Sequence, residues 1–353
     1  MEMSIFQALW FFLIFVLIAG YFVLDGFDLG SGILYPFLAK NERERAVVRR
    51  SIGPVWDGNE VWLLTAGGAL FAAFPKAYAT TFSGFYLAIM LVLFGLIVRA
   101  VSLEFRAHDP KWGKAWDACF FLGSLLPALL FGVAVGNVYA GIPMDANGDY
   151  AGVPLLGLVT PFTLLTGLLG LAMFLAAGAA WLSLKAAEGS SLRARAAAAR
   201  LPLGIVALVL FAAVSLYGHF GIQPAMDPAL GALRWTFAIL FVAAMVASLL
   251  LGRKPSGDKG AFLAQCAAAV MLVGLLAASM FPNLVVASPE SAGASITLMN
   301  GSATDLSLMW MTGITCVGLP LVLIYHVVIY RTFRGRISEE DAAGHAPSLV
   351  NEA

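Results

Sequence analysis

The sequence predicts an all-α membrane protein with about nine transmembrane helices. Hydrophobic residues make up 60% of the 353 residues and charged residues only 12%, with a mean hydropathy of +0.87. That composition is too apolar for a soluble chain of this length. The apolar residues form long continuous runs, which favour helices over a barrel because roughly 20 apolar residues span the hydrocarbon core. The net charge is zero and no basic run is interleaved with aromatics, so we expect no nucleic acid partner.

The first apolar run is longer than one straight crossing requires. It contains Gly20, Gly26 and Gly30, so we expect tilt, protrusion or a break near Asp25. Its start lacks the basic region of a signal peptide, so we predict that it is retained as the first helix. The nine predicted segments are residues 7–37, 54–74, 79–102, 116–140, 161–184, 202–221, 234–251, 261–281 and 307–330.

The Lys and Arg residues are segregated between the two sides of the predicted membrane. All but two of the 21 follow the first, third, fifth, seventh or ninth segment, and the opposite loops keep only Lys76 and Arg234. Basic loops stay on the cytoplasmic side. The N-terminus is therefore predicted to be periplasmic and the C-terminus cytoplasmic, in a multi-pass protein of the bacterial inner membrane.

A short sequence pattern that occurs twice favours a repeated architecture. The segments Asn137–Pro143 and Asn283–Pro289 both place Asn six residues before Pro, at predicted outer boundaries four helices apart. This pattern predicts two four-helix bundles, within residues 1–143 and 155–290, and one extra helix at 307–330. A chance match of two residues is the alternative.

The chain is predicted to form a single polytopic membrane domain over residues 1–337. The outer loops are short and rich in Pro, Gly, Ala and Ser, so none can fold as a separate domain. The polar residues 338–353 are predicted to form a mobile cytoplasmic tail.

Two carboxylates lie in the first predicted helix. Asp25 and Asp28 are three residues apart and therefore share a helical face. A carboxylate at the centre of a membrane helix costs about 2.5 to 3.5 kcal/mol, so it normally faces a protein interior or a water cavity. The pair suits a proton relay or an ion site. The alternative is an interfacial pair solvated at the cytoplasmic end.

Further ionisable residues map to the same cytoplasmic half. Asp57 and Glu60 open the second helix, where the helix dipole alone could account for them. Arg99 and Glu104 end the third helix, and their alternative role is that of a solvated helix terminus. A chain of carboxylates that starts at the cytoplasmic side is what proton uptake into a buried site requires.

The sequence offers no redox catalyst of its own. Only His219 and His326 lie in predicted membrane segments, and a lone membrane His more often makes a hydrogen bond in packing than binds haem. We find no convincing His/Met haem pair, no metal-binding cluster and no nucleophile with a base. The chain is therefore predicted to hold no metal and no catalytic residue.

Four motifs resemble subunit II of cytochrome bd ubiquinol oxidases, and the chain is nearer to the cyanide-insensitive branch. The resemblance is dense over residues 20–143. The motifs are Asp25-Gly-Phe-Asp28-Leu-Gly, the run from Trp56-Asp57-Gly-Asn59-Glu60-Val-Trp62 to Phe74, Phe82-Ser-Gly-Phe-Tyr86, and Arg99-Ala-Val-Ser-Leu-Glu104-Phe-Arg106.

The resemblance implies a heterodimer with a haem-bearing subunit I, often joined by a small single-helix subunit. Such a complex oxidises quinol at the outer face and reduces dioxygen to water with cytoplasmic protons. Asp57 matches a position on the family's proton route, with Asp25, Asp28 and Arg99 as companions, and Glu104 stands where some members carry Asp. Some members also hold a structural quinone in this subunit.

Two other functions remain open from the residues alone. Intramembrane carboxylates and a Gly-interrupted first helix also suit a secondary transporter. The fifth segment, Pro161–Leu184, has no counterpart of Asp25 and Asp28, which disfavours a symmetric substrate site. A purely structural scaffold would tolerate neutral residues at Asp57.

Overall fold

The structure is a computed structural model that describes residues 3–222 and 228–343. This part of the chain forms thirteen α-helices and one short antiparallel pair of strands. The helices are α1 Ile5–Leu24, α2 Gly26–Leu38, α3 Glu42–Ile52, α4 Trp56–Ala73, α5 Pro75–Gly84, α6 Tyr86–Phe105, α7 Gly113–Ala140, α8 Pro161–Lys185, α9 Ser191–Tyr217, α10 Gly231–Leu251, α11 Asp258–Met280, α12 Asp305–Thr332 and α13 Glu339–Ala343. The strands are β1 Asn283–Val285 and β2 Ile296–Thr297.

The first predicted segment is interrupted at Asp25, which lies between α1 and α2. The Asp25 N–H donates to the Tyr21 carbonyl at 2.8 Å, and the Leu29 N–H donates to the Asp25 carbonyl at 2.9 Å. The two helices therefore continue along nearly the same path while the hydrogen bonding changes at one residue. The predicted break near Asp25 is confirmed.

Glycines allow α2 to pack directly against the backbone of α8. A Cβ atom on Gly30 would lie 1.8 Å from the Phe174 carbonyl oxygen, and one on Gly178 would lie 2.4 Å from the Gly30 carbonyl carbon. Such close approach between membrane helices requires small residues at the contact. It buries the first turns of α2, so that Asp28 has no exposure to solvent or lipid.

Eight helical segments of the described chain are long and apolar enough to cross a membrane. They correspond to eight of the nine predicted segments. The remaining segment, 54–74, forms α4, whose first two turns carry Asp57, Asn59 and Glu60. The count of nine crossings and the orientation of the termini stay predictions. The eight segments are Ile5–Leu38, Tyr86–Phe105, Pro110–Ala140, Pro161–Lys185, Ser191–Ile222, Pro228–Leu251, Asp258–Met280 and Asp305–Thr332.

Two helix boundaries differ from the sequence prediction. The predicted segment 79–102 contains the junction between α5 and α6 at Phe85, and α5 begins earlier with Pro75 at its first position. Pro suits that position because the first helical N–H has no partner in the helix. The basic stretch after the first segment, predicted only as a loop, forms α3 with Asn41 as its N-cap.

The outer loops pack against the helix ends and against one another. The Ile142 N–H donates to the Val286 carbonyl, and the Ser288 N–H donates to the Ile142 carbonyl, each at 2.9 Å. The two segments that share the Asn-to-Pro spacing, Asn137–Pro143 and Asn283–Pro289, therefore lie side by side. Ile142 belongs to the largest buried apolar cluster, with Phe11 of α1 and Phe74. The internal repeat itself stays a prediction.

The predicted tail begins with an ordered turn. Its first residues form α13, which packs against α3 and buries Ala342. Ser338 caps this helix, since its hydroxyl accepts from the Asp341 N–H at 3.0 Å. Residues 344–353 of the predicted tail lie outside the described part of the chain.

Candidate functional site

A cluster of ionisable side chains lies where the α1–α2 junction meets α4 and α6. We call it the buried charge cluster, and it comprises Asp25, Asp28, Glu60 and Arg99. Asp25 sits at the helix break, and Asp28 follows one turn later in α2. Arg99 reaches the cluster from the buried side of α6, and Glu60 from α4.

Arg99 is the centre of the cluster. Its side chain is 0% exposed and forms two ion pairs, from Nη2 to Asp25 Oδ1 at 3.0 Å and from Nη1 to Glu60 Oε1 at 2.8 Å. A guanidinium group suits this position because its fixed fork of donors can bind two carboxylates at once. Gly123 lets α7 pack closely against α6 at this position, since a Cβ atom on Gly123 would lie 2.8 Å from the backbone nitrogen of Arg99.

Asn59 joins Asp28 to the helix break. Its Nδ2 donates to Asp28 Oδ2 at 2.7 Å and to the Leu24 carbonyl at 2.9 Å. The break at Asp25 frees the Leu24 carbonyl, and a buried free carbonyl requires such a donor. On the other side, the Tyr330 hydroxyl of α12 donates to Asn59 Oδ1 at 3.1 Å. One amide thus connects α1, α2, α4 and α12.

Several buried polar atoms of this region have no hydrogen-bond partner among the described residues. They are Asp25 Oδ2, Asp28 Oδ1, Arg99 Nε and Tyr21 Oη. Buried polar atoms in native proteins are normally paired with protein or with ordered water. These atoms therefore have unused hydrogen-bonding capacity within the described chain.

Asp57 and Glu104 lie outside the buried charge cluster. Asp57 is exposed on α4, three residues before Glu60, on the same outward face as Val61 and Leu64. Glu104 is exposed near the end of α6 and makes no ion pair with the part of the chain that the structure describes. The structure thus brings together four of the six predicted site residues and leaves two at the surface.

His326 has both ring nitrogens engaged. The Trp62 Nε1–H donates to His326 Nε2 at 3.2 Å, so Nε2 is the acceptor and Nδ1 carries the proton. Nδ1 then donates to the Val322 carbonyl at 2.9 Å. His219 lies in a short π-helical turn after α9, where its side chain is exposed.

Two partners in the cluster were not predicted as site residues. Asn59 belongs to the polar first turns of α4, so its residue type was a usable signal. Tyr330 gave no such signal, because it lies in an apolar run and 271 residues from Asn59 in sequence.

The fold and the cluster define a multi-pass α-helical membrane protein with an intramembrane network of ionisable side chains. Residues 6–333 match the family described as cytochrome bd terminal oxidase subunit II. The chain belongs to that family, which confirms the resemblance seen in its motifs. As a second subunit, it is part of a respiratory oxidoreductase complex in which subunit I is its partner.

Relatives match over nearly the whole chain. The chain is 34% identical to cytochrome bd-I ubiquinol oxidase subunit 2 of Escherichia coli strain K12, with 99% of both chains covered. It is 36% identical to cytochrome bd ubiquinol oxidase subunit 2 of Bacillus subtilis strain 168, covering 94% of this chain and 97% of the relative. The bd oxidase structure from Geobacillus thermodenitrificans has a TM-score of 0.76 at 16% identity and covers 94% of this chain and 99% of its own, which shows a shared fold.

Proposed function

We propose that this chain is the haem-free subunit II of a quinol:oxygen oxidoreductase in the bacterial inner membrane. In this role it stabilises the haem-bearing subunit I and conducts cytoplasmic protons toward the oxygen-reducing site. Quinol and dioxygen are the substrates of the complex, and its haems belong to subunit I. A small single-helix subunit and a structural quinone are further components that the family resemblance implies.

The observation that carries proton conduction is the excess of carboxylates over cations in the buried charge cluster. The cluster holds three carboxyl groups and one guanidinium: Asp25 and Glu60 pair with Arg99, and Asp28 accepts from Asn59 instead. Uncompensated charge is costly in a buried site, where ionisable groups tend to neutralise instead. The cluster can therefore hold a proton in one arrangement and release it in another, with Arg99 as the fixed positive centre.

The exposed acids supply an approach to this cluster from the predicted cytoplasmic half. Asp57 and Glu60 are three residues apart on α4 and so lie on neighbouring turns. Glu60 shares Arg99 with Asp25, and Asp28 follows across the helix break. We assign Asp57 and Glu104 to proton uptake and the buried charge cluster to transfer within the membrane.

We assign the exposed surface of α4 around Asp57 to the contact with subunit I. Val61 and Leu64 continue the uncovered side of α4, and Leu64 is 78% exposed in the isolated chain. A carboxylate that faced lipid on this surface would cost about 2.5 to 3.5 kcal/mol. A protein partner over this face avoids that cost and places Asp57 where a proton can pass between subunits.

The hydrogen bonds of both His326 ring nitrogens support the assignment of the haems to subunit I. A haem ligand requires a free imidazole nitrogen, and both nitrogens of His326 already have partners in this chain. Its ring also stacks on Tyr330 at a centroid distance of 6.3 Å. This histidine therefore acts in packing next to the cluster.

The first experiment compares Asp57→Asn with Asp149→Asn, a matched change at an exposed acid of an outer loop. Each variant complex is purified through a tag on this chain and assayed for its reduced-minus-oxidised haem spectrum and for oxygen consumption with quinol. We expect normal haem bands in both and a loss of turnover of about tenfold in Asp57→Asn alone. Equal turnover in the two variants would leave this chain as a scaffold, and loss of the haem partner from the tagged wild-type would contradict the oxidase assignment.

A further inference from the structure

A cavity of about 190 Å³ lies where the C-terminal ends of α3, α8 and α12 meet. Its lining includes Arg50, Trp181, Lys185, Tyr330 and Arg336. The basic loops of the chain place this region on the predicted cytoplasmic side. The cavity lies beside the buried charge cluster, since Tyr330 lines it and also donates to Asn59, but none of its three cationic residues belongs to that cluster.

The charge of Lys185 is not neutralised by the neighbouring chain. Its side chain is almost fully buried, with 5% exposure for the residue, and Nζ donates to the Phe333 and Gly335 carbonyls. The Lys185 ammonium group thereby caps the C-terminal end of α12. The carbonyl oxygens that accept its hydrogen bonds carry no net charge. Among the described residues, no carboxylate lies within ion-pair distance of Lys185.

Arg336 adds a second cation whose acidic partners are shared. Its Nη1 donates to the Ser183 and Ala186 carbonyls at 3.0 Å, and its Nη2 lies 3.3 Å from Asp258. Asp258 also pairs with Arg193 and Arg200, so one carboxylate serves three guanidinium groups. Glu188, at 3.2 Å from Arg336, is its other partner. The positive potential around the cavity is therefore only partly compensated.

Trp181 packs beside the cavity and carries a buried, unpaired donor. It is 4% exposed and lines the cavity, and its Nε1–H has no acceptor among the described residues. A buried indole N–H normally finds a hydrogen-bond partner. The ring itself is well packed, with its centroid 4.2 Å from that of Phe27, so the unused donor is not explained by a loose side chain.

We propose that this cavity binds the phosphate group of an anionic ligand, either a lipid headgroup or a soluble phosphate. Arg and Lys are the usual partners of phosphate oxygens, and three such side chains line this cavity. Basic pockets between membrane helices on the cytoplasmic side suit anionic headgroups. The proposal concerns α3, α8 and α12 and does not depend on proton conduction by the chain.

The test uses the complex purified through a tag on this chain and stripped of lipid in detergent. Phosphatidylglycerol and phosphatidylcholine with the same acyl chains are titrated in turn, and inorganic phosphate is compared with chloride at equal ionic strength. Bound lipid is counted by native mass spectrometry, and the thermal midpoint reports stabilisation by any ligand that binds the folded state. Wild-type protein should bind phosphatidylglycerol or inorganic phosphate in preference to its matched control.

Lys185→Gln and Arg50→Gln are the informative variants, because each removes a cationic group of the cavity lining and leaves a polar side chain in its place. Arg43→Gln is the control, since Arg43 is exposed on the same helix as Arg50. We expect affinity to fall on the order of tenfold in each informative variant and not in the control. Preference for phosphatidylglycerol identifies a lipid site, and preference for inorganic phosphate alone identifies a soluble ligand. Equal binding of all probes to the wild-type protein, or equal affinities in the three variants, would overturn the proposal.

Discussion

The buried charge cluster and the ion pairs at the basic ends of the helices use the same residue types in different proportions. We call the second group the ion-pair belt. In the cluster, Arg99 is the one cation beside three carboxyl groups, of which Asp25 and Glu60 pair with it and Asp28 accepts from Asn59. In the belt, guanidinium groups equal or outnumber the acids. The belt comprises Glu42, Glu44, Arg45, Arg49, Arg106, Asp117, Arg193, Arg195, Arg200 and Asp258.

Each acid of the belt accepts from at least two donors. Asp117 accepts from the Tyr35 hydroxyl at 2.6 Å and from Arg45 and Arg106, each at 2.8 Å. Burial acts to lower the pKa of Arg106, but its hydrogen bond to Asp117 and the nearby acids outweigh burial, so the pKa of Arg106 is raised. Such a network holds α3, α6 and α7 together.

The comparison predicts that proportion, more than burial, separates a structural ion pair from a site that can transfer protons. A carboxylate with several cationic donors has no reason to bind a proton. Carboxylates that share one cation in a dry site cannot all remain charged at low cost. The two regions therefore make different predictions for the same kind of substitution.

Arg99→Gln should have the largest effect. Removing the only cation of the cluster leaves Asp25 and Glu60 without a counter-charge, and breaking a buried pair in this way costs about 3 to 5 kcal/mol. We expect little assembled complex in the membrane, measured by haem content and by the thermal midpoint. Arg99→Lys keeps the charge but not the fork, so it should be intermediate. Wild-type yield and midpoint in Arg99→Gln would contradict the role of Arg99 as the centre of the cluster.

Asp258→Asn should weaken the belt without altering turnover. The change removes the charge that Arg193 and Arg200 share, and hydrogen bonds to charged groups contribute about 1.5 to 3 kcal/mol. We expect a lower thermal midpoint and an unchanged oxygen-consumption rate per haem. A loss of turnover at normal stability would show that the belt is not purely structural.

Glu44→Gln should have a smaller effect on stability, and this effect should depend on pH. Burial acts to raise its pKa, but hydrogen bonds from Ser191, Arg195 and the Lys40 N–H outweigh burial and lower the pKa below its ordinary value of 4.5. A depressed folded-state pKa gives stability that is present above about 4.5 and is lost as the pH falls through the folded-state value. As the pH falls below about 4.5, thermal midpoints should therefore decline less steeply in Glu44→Gln than in the wild-type protein. Glu290→Gln, at an exposed outer-loop acid, should follow the wild-type curve.

Glu104→Gln should have the smallest effect. Glu104 is exposed and outside the cluster, so water can take over proton delivery at this point. We expect a change in stability within about 0.5 kcal/mol and a reduction in turnover of about twofold at most. A loss as large as that of Asp57→Asn would place Glu104 on the obligatory route.

The sequence predicted the parts of the site that follow from local chemistry. The glycines around Asp25 indicated the helix break, and the spacing of Asp25 and Asp28 placed both on one face. Arg99 was a candidate because it maps to the same predicted cytoplasmic half as the carboxylates. The segregation of basic residues predicted the orientation of the helices, but it did not predict the ion-pair belt that these residues form.

The remaining parts depend on packing between distant segments. Nothing local indicates that Tyr330 meets Asn59, because the contact requires α12 to lie against α4. The outward position of Asp57 and the inward position of Glu60 depend on the rotation of α4, which its mixed composition does not determine. The division of residues 79–102 at Phe85 likewise depends on tertiary packing, since both sides of the junction are good helix formers.

Proton transfer through the buried charge cluster is tested most directly by Asp28→Asn. An amide of the same shape can still accept from Asn59 Nδ2, so stability should be retained while the titratable group is lost. Proton uptake and oxygen consumption are measured with quinol in reconstituted vesicles, and Asp149→Asn serves as the control. We predict an intact haem spectrum and thermal midpoint with both rates reduced at least about tenfold. Wild-type rates in Asp28→Asn, with normal assembly, would contradict the account.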